Sequence, residues 1–426
     1  MLRDEEILEL LGDGNISEIG SPRSETEDID FPFAEFEHLL DTFDNENETR
    51  LIVQDEEWVP PPLTITSKRN IRWAQKPFKQ PTLKLDDVEQ NNIILELKSP
   101  LQYFSEYFDY DVFENMAYHT NLYTILKDVT RFKPTDMYEM KRLIGMHIIM
   151  GNLKYPRVRL YWQKHFEVNL VAQNMTRDRF FSLRNNLHIV DNNEIPNGNK
   201  DKFIKVRPLY TALQKKCNSL PMERNLCVDE QMVPFKEQIS IKQYMKGKPI
   251  KWGVKVFLLC GECGTIYNIL PFQGYYELDQ DIIKTVGCGA CVVLYLSQNV
   301  KLNRHFLFFD NFFSSFFLFE RLQQLQIYAA GTIRTNWFAN PPLLSDKEMR
   351  KLGRGTTFEV TTDVPGCNIG IVKWFDNKAV NLGSNCIASV EVDRVTRWDK
   401  KEKQFVDIER PEIVRLYITH KTVELF

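Results

Sequence analysis

The chain lacks the marks of several large protein classes. No run of about 18 apolar residues, the length that crosses a bilayer, is present, and the richest window, 306–319, is broken by Asp310 and Asn311. A membrane partner is therefore not expected. The first residues are acidic, without the basic stretch and apolar core of a secretory leader. An intracellular chain is expected, so the 8 cysteines are read as thiols or metal ligands rather than disulfides. Histidine is scarce, 7 in 426 residues, and none stands at ligand spacing. Basic residues are nearly missing from 1–60, where 3 stand against 19 acidic ones; that stretch carries −16, which leaves +12 on the rest of a chain of net charge −4. An acidic tail on a basic body fits a polyanion-binding body whose tail repels or competes.

At 426 residues the chain exceeds one ordinary core, and its 43 % hydrophobic content is that of a folded protein. Residues 1–65 read as a disordered acidic tail, with short helices at 5–11 and 31–40. Pro60, Pro61 and Pro62 close it as a stiff spacer. Residues 66–94 read as a basic linker, with Lys68, Arg69, Arg72, Lys76, Lys79 and Lys84 around Trp73 and Phe78. Residues 95–225 read as an all-α domain. The apolar period predicts helices over 111–125, 135–149, 177–187 and 209–220, after extended aromatics at 100–108. Arg179 is among the candidates for a basic rim there.

From residue 226 the period changes to that of strands. A strand at 227–234 carries Asp229, followed at once by Glu230 and Gln231. A hairpin, 253–260 with 265–270, turns over Gly261-Glu-Cys-Gly264. A helix opens at 291, and a second strand, 306–309, runs straight into Asp310. A helix over 314–325 and a strand over 328–334 follow. Both Asp-bearing strands are apolar on two faces, as central strands are. Side by side they would bring Asp229 and Asp310 close enough to share divalent cations, because like charges that close need a cation or a proton. The order strand, hairpin, helix, strand, helix, strand is that of an α/β, ribonuclease-H-like core. A β-rich insertion spans 336–409, with strands at 356–361, 369–374, 379–382 and 388–392. A last core strand and a divergent tail are expected over 410–426.

Two C-x-x-C pairs, Cys260 with Cys263 and Cys288 with Cys291, have zinc-ligand spacing. One lies at a hairpin tip and the other opens a helix, so zinc is not expected. Asp376 reads as a turn residue.

These residues resemble the piggyBac-type transposases. The resemblance runs from 95 to 417. It rests on Val228-Asp-Glu-Gln-Met-Val-Pro-Phe235, Lys246-Gly-Lys-Pro-Ile-Lys-Trp-Gly-Val-Lys255 and Phe309-Asp-Asn-Phe-Phe-Ser-Ser315. Gly331-Thr-Ile-Arg334, Val372-Lys-Trp-Phe-Asp-Asn-Lys378 and Arg410-Pro-Glu-Ile-Val-Arg-Leu-Tyr417 add to it. It implies cut-and-paste DNA chemistry at TTAA targets, in a ribonuclease-H-like fold with three Asp residues and two Mg²⁺ ions; one ion activates the attacking oxygen and the other stabilises the leaving one. Asp229 and Asp310 match the first two of those residues as catalytic and metal-binding groups. Lys246, Lys248, Lys251, Lys255 and Arg334 are implied to lie along double-stranded DNA. A homodimer through the helical region, nuclear localisation and no small-molecule cofactor are also implied.

The sequence departs from the family after Tyr417, where the segment holding the third Asp would follow. Here Ile-Thr-His-Lys-Thr-Val-Glu-Leu-Phe stands instead, and Glu424 falls near the missing position. The reading is a C-terminally truncated, domesticated form: a nuclear DNA-binding protein with an incomplete two-metal site. An active transposase and a protein-interaction module recruited through the acidic tail remain as alternatives. The incomplete site predicts weak or no turnover of terminal-repeat oligonucleotides with Mg²⁺. Robust strand cleavage would restore the active-transposase reading.

Overall fold

The computed structural model describes residues 62, 64–83, 97–246, 248–273, 283–284, 286–301, 303–389, 391–399 and 403–421. The expected helices at 5–11 and 31–40, most of the acidic tail, Pro60, Pro61, Lys84 and Glu424 lie outside them.

Residues 66–83 of the stretch read as a basic linker over 66–94 pack onto the body. Their β1, Trp73–Ala74, pairs antiparallel with a strand far along the chain. Ile71 and Phe78 are buried, and the Phe78 N–H donates to Glu359 Oε1 at 2.6 Å. The apolar residues spaced among the lysines, not the lysines, decide where this segment lies.

Helices follow. The segment read as extended aromatics is α1, Pro100–Tyr107: Ser99 and Gln102 form a capping box and Pro100 opens the first turn, a start signal stronger than the aromatic content. Then come α2 (Tyr110–Leu126), α3 (Met137–Leu153), α4 (Asn169–Ala172), α5 (Arg177–Asn186) and α6 (Arg207–Asn218). Asp109, Asp136 and Thr176 cap α2, α3 and α5, each accepting a backbone N–H of the first turn. The buried faces of α2, α3 and α5 share a core around Phe113, Met140, Leu143, Phe180 and Leu183. Arg179 is spent within this core's rim: its Nε donates to Glu139 Oε1 at 2.7 Å and its Nη1 to the Lys133 carbonyl at 2.8 Å.

The strands are β2 (Asn225–Pro234), β3 (Lys242–Tyr244), β4 (Trp252–Gly261), β5 (Ile266–Pro271), β6 (Phe306–Phe309) and β7 (Tyr328–Thr332). Helix α7 (Cys288–Leu296) precedes β6, and α8 (Phe316–Gln324) connects β6 to β7. After α9 (Asp346–Leu352) come β8 (Thr357–Thr362), β9 (Gly370–Phe375), β10 (Ala379–Ser384), β11 (Val392–Asp399) and β12 (Gln404–Pro411). Ten strands form one sheet in the order β1-β8-β9-β10-β7-β6-β2-β4-β3, with β5 also on β4. Strands β2, β6 and β7 run parallel. The rest of the sheet is antiparallel. Gly331 of β7 permits its close approach to β6, since a Cβ there would sit 2.6 Å from the Phe309 carbonyl oxygen.

Two corrections fall at the end of the chain. Among the described residues no strand forms at 388–391, and Val392 instead opens a separate hairpin, β11 with β12. Its outer positions are held by cross-strand charge pairs such as Arg410 with Asp393 at 2.6 Å. Within 410–426, read as a last core strand through Tyr417 and a divergent tail, the described residues form a helix, α10, Glu412–Lys421. Its β-branched residues favour a strand locally, but Ile413, Val414 and Tyr417 fall on one helical face and bury against Phe308, Ala330, Val372 and Leu382.

The central strands have a core on each face. Alternation sends Leu226, Val228, Leu307 and Phe309 toward α7 and α8. It sends Phe308 toward α10, and Leu258 and Cys260 toward α6. Phe309 is fully buried and packs on Phe319 with ring centroids 5.3 Å apart. Phe309→Ala is expected to destabilise the fold by about 3–5 kcal/mol, measured as a shift in the urea midpoint at unchanged slope.

Candidate functional site

The site follows from strand register. Val228 of β2 is paired with Phe309 of its parallel neighbour β6. Asp229 and Asp310 are the next residues on each, so the two carboxylates stand side by side as expected. Alternation puts both on the face that α10 covers.

The surroundings of the pair come from two further elements, β7 and α10, and from the residues next to each aspartate. Thr332 ends β7 and donates its hydroxyl to Asp310 Oδ1 at 2.6 Å. The Asn311 N–H donates to the same oxygen. Tyr417 of α10 stands with its hydroxyl 3.3 Å from Thr332 Oγ1. One helical turn on, Lys421 Nζ lies 3.9 Å from Asp310 Oδ2. The Cys227 thiol donates to the Lys421 carbonyl at 3.5 Å, which ties the end of α10 to β2. Asp229 Oδ1 accepts the Glu230 N–H at 2.8 Å.

Burial sets the electrostatics. It raises the Asp229 carboxyl, and the Glu230 charge adds to it, while Lys421 and Lys248 pull the other way; the group is held up at about 6. Lys248 is desolvated too, but Glu230, Asp229 and Asp310 together hold its ammonium above the usual lysine value. It pairs with Glu230 Oε1 at 3.0 Å. Burial lowers Lys255, whose ammonium lies among the rings of Phe312, Phe257 and Phe272 at 5.1, 5.3 and 5.7 Å. Burial, with Asp310 nearby, drives the Tyr417 phenol well above its normal range.

Of the lysines read as DNA-facing, Lys246 and Lys251 are exposed, whereas Lys248 and Lys255 turn inward beside Glu230. Arg334 donates from Nε to Asn311 Oδ1 at 3.1 Å, which brings it next to the carboxylate pair. The two C-x-x-C motifs do not converge. Cys260 enters the core under α6 and Cys291 enters the core on the opposite face of the sheet, while Cys263 donates to Glu223 Oε1 at 2.7 Å. Asp376, read as a turn residue, follows β9 and pairs with Arg354 at 2.6 Å.

Thr332, Tyr417 and Lys421 were missed by sequence reasoning. Thr332 lies inside a motif singled out for its arginine. The four-residue step from Tyr417 to Lys421 is visible only once 412–421 is known to be helical.

Among the described residues the donor set does not fit a pair of divalent ions: two carboxylates stand side by side with an ammonium 3.9 Å from one of them, and no group of three or more His, Cys, Asp or Glu could hold a metal ion.

The family model described as Transposase IS4 matches residues 99–423. Human piggyBac transposable element-derived protein 3 is 30% identical over 333 residues, covering 77% of this chain and 55% of that protein. This chain belongs to the piggyBac-type transposase family. Human piggyBac transposable element-derived protein 2 is 29% identical over 365 residues, covering 84% of this chain and 59% of that protein. The chain thus spans little more than half the length of these relatives. A piggyBac transposase solved by cryo-EM in a synaptic complex with hairpin DNA is similar in fold, with TM-score 0.61 at 21% identity over 76% of this chain and 66% of that one. The piggyBac-type fold is thus a mixed α/β arrangement of helices and one large mixed sheet.

The Asp229 shift has a signed consequence. A carboxyl held higher folded than unfolded favours the folded state below the unfolded value, near 4, and loses that stabilisation as pH rises through about 6. Asp229→Asn, which cannot ionise, is expected to melt above wild type at pH 7.5 and to lose that advantage as pH falls from 6 toward 4. Thermal melts across this range check it.

Proposed function

We propose that this chain is a transposase-derived nuclear DNA-binding protein with an incomplete two-metal cleavage and joining site. The carboxylate pair carries the reading: two aspartates set by parallel register, with the Lys421 ammonium 3.9 Å from Asp310. The strand order β5-β4-β2-β6-β7, with β4 reversed against β2 and with β2, β6 and β7 parallel, supports a ribonuclease-H-like core over 226–335. The β-rich segment 336–409 is then an insertion, and the helices of 95–225 are a separate unit suited to dimerisation or DNA contact. The family generally uses a divalent metal. Here Asp229 and Asp310 are the residues left to hold one, and no chemical step is assigned to it.

DNA binding in this reading is carried by exposed basic groups rather than by catalysis. Lys246 and Lys251 stand on the loop between β3 and β4, whose inward lysine, Lys248, reaches the site through Glu230. Each lysine that neutralises a phosphate steepens the salt dependence of affinity by close to one unit of slope.

Fluorescence anisotropy of a labelled duplex at rising salt tests the reading. Wild type is expected to lose affinity linearly in log–log form. Lys246→Ala with Lys251→Ala is expected to reduce the slope by about 2. Affinity independent of salt, or an unchanged slope in the double variant, would overturn it.

A further inference from the structure

We infer that the Lys421 ammonium is a built-in counter-ion for the Asp229–Asp310 pair, occupying the place from which a divalent cation would otherwise neutralise it. This rests on the incomplete-site reading above, but not on DNA binding.

The lysine is delivered by the helix that closes the site. Ile413, Val414 and Tyr417 bury one face of α10. Lys421, one turn beyond Tyr417, continues that face to the strand ends. The terminal turn is tied to β2: Cys227 donates to the Lys421 carbonyl at 3.5 Å. The ammonium lies 3.9 Å from Asp310 Oδ2.

Charge explains what it does there. Adjacent carboxylates on rigid strands repel unless a cation or a proton is shared. Lys248 feels both aspartates but pairs directly with Glu230 at 3.0 Å, and Arg334 donates to Asn311. Among the described residues, Lys421 is the ammonium at ion-pair distance from Asp310 itself. A surface ion pair of this length would contribute little. The difference is the setting: burial and the Glu230 charge hold the neighbouring Asp229 carboxyl up, and the Lys421 and Lys248 ammoniums both act against that. A protonated ammonium has no lone pair to coordinate a metal. It also repels a divalent ion and fills the space that the ion's remaining oxygen ligands would need.

The test is Mn²⁺ titration of the full chain at neutral pH, followed by calorimetry and by the loss of the free-Mn²⁺ electron paramagnetic resonance signal. Wild type, Lys421→Glu and Lys421→Met are compared, each with and without Asp310→Asn, and circular dichroism confirms folding. Lys421→Glu removes the ammonium and adds a third carboxylate. It is expected to bind Mn²⁺ at least about tenfold more tightly than wild type, with Lys421→Met between the two and the gain lost on adding Asp310→Asn. Wild-type binding as tight as that of Lys421→Glu, or a folded Lys421→Glu with no gain, would overturn the inference. Should Lys421→Glu not fold, Lys421→Met decides: tighter binding supports the counter-ion and unchanged binding overturns it. A gain in Mn²⁺ affinity alongside salt-independent DNA affinity would remove the DNA reading and leave this one standing.

Discussion

The parallel pairing of β2 with β6 is the constraint on which the rest depends. One register, Val228 against Phe309, places two aspartates from distant parts of the sequence on adjacent strand ends. It also sends the preceding residues of both strands into cores on opposite faces. A slip of one residue in either strand would turn its carboxylate into the apolar core under α7 and α8. The buried phenylalanines of β6 oppose such a slip, so the same packing that stabilises the sheet aims the site.

Much of this was legible in the sequence. Uninterrupted apolar runs mark β2 and β6 as central strands, and the carboxylate that ends each run is plain to see. Capped, periodic segments such as Met137–Leu153 read correctly as helices. What could not be read is what tertiary packing decides. Ile413, Val414 and Tyr417 suit a strand by propensity, and only the hydrophobic face offered by Phe308 and Leu382 makes them helical. The β11–β12 hairpin carries charges where apolar alternation would be sought, because its cross-strand partners are ionic. The segment 66–83 was masked by its lysines, although its apolar residues place it.

The same distinction applies at the site. Each aspartate announces itself locally, but Thr332, Tyr417 and Lys421 matter through contacts made across 22, 85 and 111 residues, read from their numbers in the chain. No local pattern marks them. A basic cluster is equally ambiguous. Lys246 and Lys248 are near neighbours, yet one faces solvent and the other is drawn to Glu230.

The edge strand β1 bears on how such a chain is made. Its partner β8 is synthesised almost 290 residues later: Trp73 pairs with Thr362. The Thr66 hydroxyl and N–H likewise wait for Glu320, and the Phe78 N–H for Glu359. During synthesis at the ribosome, Ile71 and Phe78 therefore emerge with no surface to bury against, while the helices behind them can already pack with one another. Closing such a long loop gives no return until its far partner exists. Segment 64–83 is thus a clasp fastened late, which covers the open edge of β8 only when the sheet is otherwise complete.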